Sequence, residues 1–255
     1  YRHCVKHTGD ARHYLYNDYN DVTVMQRFRQ TIETLEPYVP GEQPPAGTAV
    51  IKLNTNENPF LSSPRAIDAL KTVDPDALRL YPQPYADEFR QAASDVLGVD
   101  PTWILAGNGS DELLTQLMRA VAGPGRAVAY PVPTYVLYRT LAAMQEAPTI
   151  EVAYDDAFVL PIDGLSEAGA ALTIVANPNS PSGTAAAIDE LGDLAGRLGG
   201  ILAIDEAYVE FADASALDLV RSNDRIIVLR TLSKSHSLAG LRIGFGIAQP
   251  SLIEG

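Results

Sequence analysis

The sequence predicts an α/β fold, a mostly parallel sheet covered on both faces by helices. Three observations predict it. Short apolar runs recur along the chain at residues 103–106, 127–130, 172–176, 201–204, 226–229 and 243–248. Amphipathic stretches of helical period precede the first run, at 64–73 and 85–97, and lie between others, at 113–122, 134–144 and 188–198. Glycine and proline punctuate the joins, with Gly98 closing one helix and Gly123-Pro124-Gly125 stopping another. Apolar strands alternating with amphipathic helices make parallel sheets, and ligands of such sheets sit beyond the carboxyl ends of the strands.

Taken in order, residues 1–24 stand apart from the rest. They hold His3, His7 and His13, the single cysteine Cys4 and four tyrosines, and show neither helical nor strand period. His3, Cys4 and His7 can be read as part of a metal site, but no second ligand cluster completes a shell. The expectation is a disordered or extraneous leader and no metal. Met25 opens an amphipathic stretch running to Leu35 and is expected to be the true start. Residues 25–62 read as an N-terminal arm that includes a Pro/Gly-rich connector at 40–47. Residues 63–255 read as one large domain. Near the end, Pro250 followed by Ser251-Leu252-Ile253 reads as the beginning of a helix, so the chain looks cut short.

Composition bounds the partners. The chain has 255 residues, 46 % of them hydrophobic and 20 % charged, as in an ordinary soluble protein. A formal net charge of -13 disfavours nucleic acid and anionic membranes as partners. A small anionic substrate remains compatible, because a few Arg and Lys can reverse the sign inside a pocket. No apolar run is long enough to span a bilayer and no signal sequence opens the chain. One cysteine permits no internal disulfide, which fits a cytoplasmic protein.

The chemistry gathers at the strand ends. Gly107-Asn108-Gly109-Ser110-Asp111-Glu112 joins a strand to a helix. Its free backbone N–H groups and the helix dipole suit an anion such as a phosphate, and it is equally an ordinary turn with Ser110 or Asp111 as cap. It matches neither a Walker loop nor the dinucleotide fingerprint. The run Ile201-Leu202-Ala203-Ile204 ends in Asp205-Glu206-Ala207-Tyr208. A carboxylate there can ligate a metal, act as a base, partner a cationic ring nitrogen or cap a helix. After residues 226–229 come Arg230-Thr231-Leu232-Ser233-Lys234, with Arg242 eight residues beyond the lysine. A free lysine, with a pKa of about 10.4, is a poor nucleophile at neutral pH and becomes useful when bound as an imine. Thr231, Ser233 and Arg242 can clamp a phosphate close to such an imine.

These residues resemble a known family. Ser233-Lys234 followed by Leu238-Ala239-Gly240-Leu241-Arg242-Ile243-Gly244 looks like the lysine motif of fold type I pyridoxal-phosphate aminotransferases, nearest to the histidinol-phosphate aminotransferases. Leu53-Asn54-Thr55-Asn56-Glu57-Asn58-Pro59, Leu80-Tyr81-Pro82, Pro131-Val132-Pro133-Thr134-Tyr135, Asn177-Pro178-Asn179-Ser180-Pro181-Ser182-Gly183 and Asp205-Glu206-Ala207-Tyr208 agree in order and spacing. The likeness runs from about residue 26 to 255.

The resemblance implies a set of roles. Lys234 carries pyridoxal 5'-phosphate as a Schiff base and, once released, moves a proton between the substrate Cα and the cofactor C4′. Asp205 pairs with the protonated ring nitrogen, Tyr208 bonds the ring 3-oxygen, and Tyr135 stacks on the ring face. The phosphate lies at the Gly109 turn on the N–H groups of Ser110 and Asp111, with Thr231, Ser233 and Arg242. Tyr81 reaches the phosphate of a neighbouring subunit, which implies a homodimer. The family often has Asn before the second proline of its Asn-Pro block. Here Ser180 stands in that place, and Asn179 before it is the favoured contact to the ring oxygen. The family's C-terminal small domain, with its substrate-binding arginine, is expected to be missing.

The implied reaction is transamination in histidine biosynthesis, histidinol phosphate plus 2-oxoglutarate giving imidazole-acetol phosphate plus glutamate. An aromatic amino-acid aminotransferase of the same fold, a phosphothreonine decarboxylase and a non-catalytic fragment are the competing readings. A simple nucleotide-binding module leaves Lys234 and Asp205 without a role.

Overall fold

The computed structural model describes residues 27–35, 45, 47 and 49–255. The leader at 1–24 with His3, Cys4 and His7, the proposed start at Met25 and most of the connector at 40–47 lie outside the described residues. Residues 27–34 belong to a unit of their own, in which α1 (Gln30–Thr34) has no buried residue.

The second unit, residues 35–255, follows the expected alternation. Its elements are α2 (Pro64–Lys71), α3 (Asp87–Leu97), β1 (Ile104–Gly107), α4 (Ser110–Val121), β2 (Val128–Val132), α5 (Leu137–Met144), β3 (Thr149–Ala153) and α6 (Ile162–Glu167). Then come β4 (Leu172–Ala176), α7 (Ile188–Arg197), β5 (Ile201–Asp205), α8 (Leu217–Ser222), β6 (Ile226–Thr231), β7 (Gly244–Ile247) and α9 (Pro250–Ile253). The proline that opens α9 occupies its first turn, where its missing N–H costs nothing.

The seven strands make one sheet in the order β1-β7-β6-β5-β4-β2-β3. Strands β3, β2, β4, β5 and β6 are parallel neighbours, and β7 is antiparallel to both β6 and β1. Hence β1, β2, β4, β5 and β6 all end at the same edge. The chain runs outward from β2 to β3, then returns to place β4 on the other side of β2. That reversal leaves a crevice between the ends of β2 and β4, where α/β sheets bind ligands.

Successive strand residues alternate between two cores. Val175, Leu202, Ile204, Ile226 and Val228 pack with Leu165, Leu191, Leu194 and Val220 from α6, α7 and α8. Leu172, Ile174, Ala203, Ile227 and Leu229 pack with Leu114, Met118, Tyr138 and Leu141 from α4 and α5. Burial on both faces is why these strands read as continuous apolar runs.

Four differences from the sequence reading have local causes. The helix expected from 85 begins at Asp87, because Ala86 sits at a φ of 50°. The helix expected from 113 begins at Ser110, because Gly109, at a φ of 90°, turns the chain and acts as the cap. The helix expected from 134 begins at Leu137, leaving Thr134 and Tyr135 in the crevice loop. Strand β3 was not expected: it is a five-residue edge strand of alternating exposure, with Glu151 at its centre. Among the described residues no helix is long and apolar enough to cross a membrane.

Among the described residues the core contains a polar misfit. Thr173 in β4 is fully buried, and its hydroxyl has no hydrogen-bond partner. A buried unpaired hydroxyl costs about 1–3 kcal/mol, and valine has nearly the same shape. Thr173→Val is expected to stabilise the chain by about 1 kcal/mol and raise the melting midpoint by about 2–4 °C. Thermal unfolding followed by circular dichroism checks it; a lower midpoint contradicts the assignment.

Candidate active site

The ends of β1, β5 and β6 and the β2–β4 crevice bring together most of the residues singled out from sequence. The floor is Asp205, the last residue of β5. Its side chain is buried, with Oδ2 accepting the Tyr138 hydroxyl at 2.7 Å and Oδ1 accepting the Ala207 N–H at 3.2 Å. Burial pushes its pKa up to about 6, opposed by those two hydrogen bonds and reinforced by the charges of Asp111 and Glu206. Among the described residues Asp205 makes no ion pair. A buried carboxylate without a counter-cation is a ready site for a cationic ligand group.

Glu206 points elsewhere. It is buried against Arg230, with Nη2 at 2.9 Å from Oε2, and also accepts from Ser215 Oγ and the Ala216 N–H. Of the two adjacent acids, only Asp205 belongs to the crevice. Glu206 is the first residue beyond β5, and Arg230, Ser215 and the Ala216 N–H hold its carboxylate.

One wall is the loop after β6. The Ser233 N–H donates to Thr231 Oγ1 at 3.1 Å, and the Thr231 hydroxyl donates to Ser233 Oγ at 2.9 Å. Arg242 closes this cup, its Nη1 donating to Ser233 Oγ at 3.3 Å and its Nη2 to the Asn108 carbonyl at 3.5 Å. Arg242 Nη2 also stands 4.0 Å from Asp111 Oδ2, a half-exposed pair of little energetic weight. The other wall is the start of α4, a three-turn helix whose Ser110 and Asp111 form the first turn. Two glycines set the spacing. A Cβ on Gly109 would strike the Arg242 guanidinium, and one on Gly244 would collide with the main chain of Gly109 and Ser110. Free amide donors, two hydroxyls and a guanidinium thus converge on a cup suited to a dianion.

Lys234 follows the cup. Its Nζ donates to the Thr55 carbonyl at 3.2 Å and lies 5.7 Å from the centre of the Tyr208 ring. Asn58 Nδ2 donates to the carbonyls of Lys234 and Ser235, so the arm segment straps the lysine loop. Asn56 Nδ2 donates to the Tyr208 oxygen at 2.9 Å, which leaves the Tyr208 proton available to a further acceptor. Tyr135 donates to Asp111 Oδ1 at 3.4 Å, and its ring meets that of Tyr138 edge-on at 5.7 Å.

Asn179 is buried in the crevice loop. Its Oδ1 accepts from Thr134, and its Nδ2 donates to the Pro133 carbonyl and to Ser182 Oγ. Both amide hydrogens are therefore engaged. Tyr81 is fully exposed and takes no part in this chain of contacts. Tyr138 and the strapping residues Thr55, Asn56 and Asn58 were not given these roles from sequence. The signal for Tyr138 was its place three residues beyond Tyr135, one turn along the stretch that the sequence reads as helical.

The family described as aminotransferase class I and II matches residues 48–255. Histidinol-phosphate aminotransferase 1 of Trichormus variabilis is 55 % identical over 228 residues, which cover 89 % of this chain and 65 % of that protein. The histidinol-phosphate aminotransferase of Rhodopirellula baltica is 46 % identical over 229 residues, 89 % of this chain and 63 % of its own length. The chain thus spans a little under two thirds of these curated relatives. Among solved structures, the histidinol-phosphate aminotransferase of Sinorhizobium meliloti in complex with pyridoxal-5'-phosphate superposes with a TM-score of 0.81 at 28 % identity, covering 91 % of this chain and 66 % of that one. An aspartate aminotransferase variant of Thermus thermophilus, at a TM-score of 0.75 and 20 % identity, shares the fold.

Proposed function

Because the chain belongs to the class I and II aminotransferase family, we propose that it uses pyridoxal 5'-phosphate to transfer the amino group of histidinol phosphate to 2-oxoglutarate. The products are imidazole-acetol phosphate and glutamate. The observation that carries the substrate is the 55 % identity to a histidinol-phosphate aminotransferase over 89 % of the chain.

The residues fit the cofactor on grounds of their own chemistry. Asp205 is a buried carboxylate without a counter-cation, matching a protonated ring nitrogen. The missing side chain of Gly109 lets the Arg242 guanidinium come close to the first turn of α4, beside the Thr231 and Ser233 hydroxyls, a donor set matching a phosphate. When bound, pyridoxal phosphate supplies an aldehyde that condenses with amines and a ring that withdraws electrons from the bond to be broken. The chain's own residues do the rest. Lys234 Nζ would hold the cofactor through its amine and, once the substrate amine displaces it, would be free to carry the proton between the substrate Cα and the C4′ position. Asp205 holds a proton on the ring nitrogen. Tyr208 donates to the ring 3-oxygen, with its own oxygen held by Asn56. Tyr135 offers a ring to stack on. Gly109, Ser110, Asp111, Thr231, Ser233 and Arg242 grip the phosphate. For Asn179 to reach the ring oxygen it must release Pro133 or Ser182; Ser180 carries no such commitment among the described residues. The active unit is a cytoplasmic homodimer in which the exposed Tyr81 serves the phosphate site of the second copy.

Glutamate formation from 2-oxoglutarate tests this, with histidinol phosphate and phenylalanine compared as donors. Faster turnover of histidinol phosphate is expected. Faster turnover of phenylalanine overturns the substrate, and no glutamate from either overturns the activity.

A further inference from the structure

We propose that Tyr138 is a positioning residue, fixing the Asp205 carboxylate in place to receive the protonated ring nitrogen of the cofactor. The inference rests on the reading of this crevice as a pyridoxal-phosphate site. Tyr138 lies in the first turn of α5 and is fully buried. Its hydroxyl donates to Asp205 Oδ2 at 2.7 Å, the shortest contact that carboxylate makes among the described residues. Two rings hold the phenol where it is, Tyr135 edge-on at 5.7 Å and Tyr130 at 5.9 Å. Turning the hydroxyl away would bury it unpaired at a cost of about 1–3 kcal/mol, so the bond is not readily exchanged. Asp205 therefore has one oxygen tied to Ala207 and the other to Tyr138, which sets the plane of the carboxylate.

The same bond acts on charge. Asp205 is driven toward its neutral form by burial and by Asp111 on α4 and Glu206 beside it. The opposing groups are the Tyr138 hydroxyl and the Ala207 N–H. Among the described residues Tyr130, Tyr135 and Tyr154 are the other titratable groups beside Tyr138; burial, Asp205, Tyr135 and Tyr154 hold its own pKa well above the ordinary value, so it stays a donor. Loss of the hydroxyl leaves one hydrogen bond to stabilise the anion, and Asp205 then takes up a proton at higher pH. A protonated Asp205 must lose that proton before it can pair with a cationic ring, so affinity falls on the acid side.

The test is pyridoxal phosphate binding, read by absorbance titration from pH 5 to 8.5, for the unaltered chain, Tyr138→Phe, Asp205→Asn and the double variant. Circular dichroism checks that each is folded. For Tyr138→Phe the acid limb of the affinity profile is expected to move up by about one pH unit. That is about tenfold weaker binding near pH 6 with little change at pH 8. In the Asp205→Asn background Tyr138→Phe should leave the shape of the profile unchanged. An affinity loss equal at every pH, or none at any pH, overturns the role of Tyr138. Failure of the unaltered chain to bind pyridoxal phosphate overturns the cofactor reading itself, and this inference with it. A Tyr138→Phe chain that does not fold moves the test to Tyr138→Trp and Tyr138→His; a pH-independent loss in both overturns the proposal.

Discussion

Lys234→Ala is expected to lower the turnover of histidinol phosphate by about 10²–10⁴-fold, the range for removing a positioned acid–base group, while leaving the fold intact. The lysine occupies a loop whose structure does not depend on its amine. The loop is held by Asn58, which bonds the carbonyls of residues 234 and 235, and by Thr231, Ser233 and Arg242 around the cup. Among the described residues, the Thr55 carbonyl and the Tyr208 ring lose a partner when Nζ goes, and Glu57 loses a nearby positive charge. The other described lysines are tied to carboxylates, Lys52 to Glu57 at 2.9 Å and Lys71 to Asp68 at 3.2 Å. Neither replaces an amine at the end of β6. Steady-state glutamate formation measures the loss. Turnover within a factor of ten of the unaltered chain, in a folded variant, contradicts the role.

Arg230→Leu is expected to give the largest loss of stability. Arg230 lies at the end of β6 with its side chain 13 % exposed, against a Glu206 side chain that is 0 % exposed. Removing one partner of a buried pair leaves an uncompensated charge and costs about 3–5 kcal/mol. The penalty depends on pH. Burial raises the Glu206 pKa even with Arg230 present, and loss of the arginine raises it further. An acid whose folded pKa lies above its unfolded value destabilises only while it is charged. The penalty is therefore small below the ordinary glutamate range. It grows as pH rises from that range through the raised folded value. Denaturant unfolding at pH 8 and pH 5 reads this, with the larger loss at pH 8. Adding Glu206→Gln should recover part of it. A loss under about 1 kcal/mol, equal at both pH values, means that the pair is not the closed network described.

The two acids also show what can and cannot be read from a linear chain. The placement of Asp205-Glu206 at the end of an apolar run was legible, because strand ends are where polar groups gather in a parallel sheet. Which acid faces the crevice was not legible from the run itself; only the family resemblance implied Asp205. The choice between them depends on Arg230, which lies in another strand, and on Tyr138, which is 67 positions from Asp205. The glycine turn at 107–109 was legible as an anion loop, while its depth was not. The limit is set by Gly244 on β7, where a side chain would meet the main chain of Gly109 and Ser110. Short elements escaped for a related reason. Helices α6 and α8, six residues each, are too short to display a period, and α8 is held by the capture of the Ala216 N–H by Glu206.

The identity of the amine that carries the cofactor is the claim on which the rest depends. Pyridoxal phosphate added to the chain should give visible absorbance that borohydride abolishes. Proteolysis and mass spectrometry of the reduced chain should then place the added mass on Lys234 alone. Absence of a reducible adduct, or the added mass on a different lysine, contradicts the account.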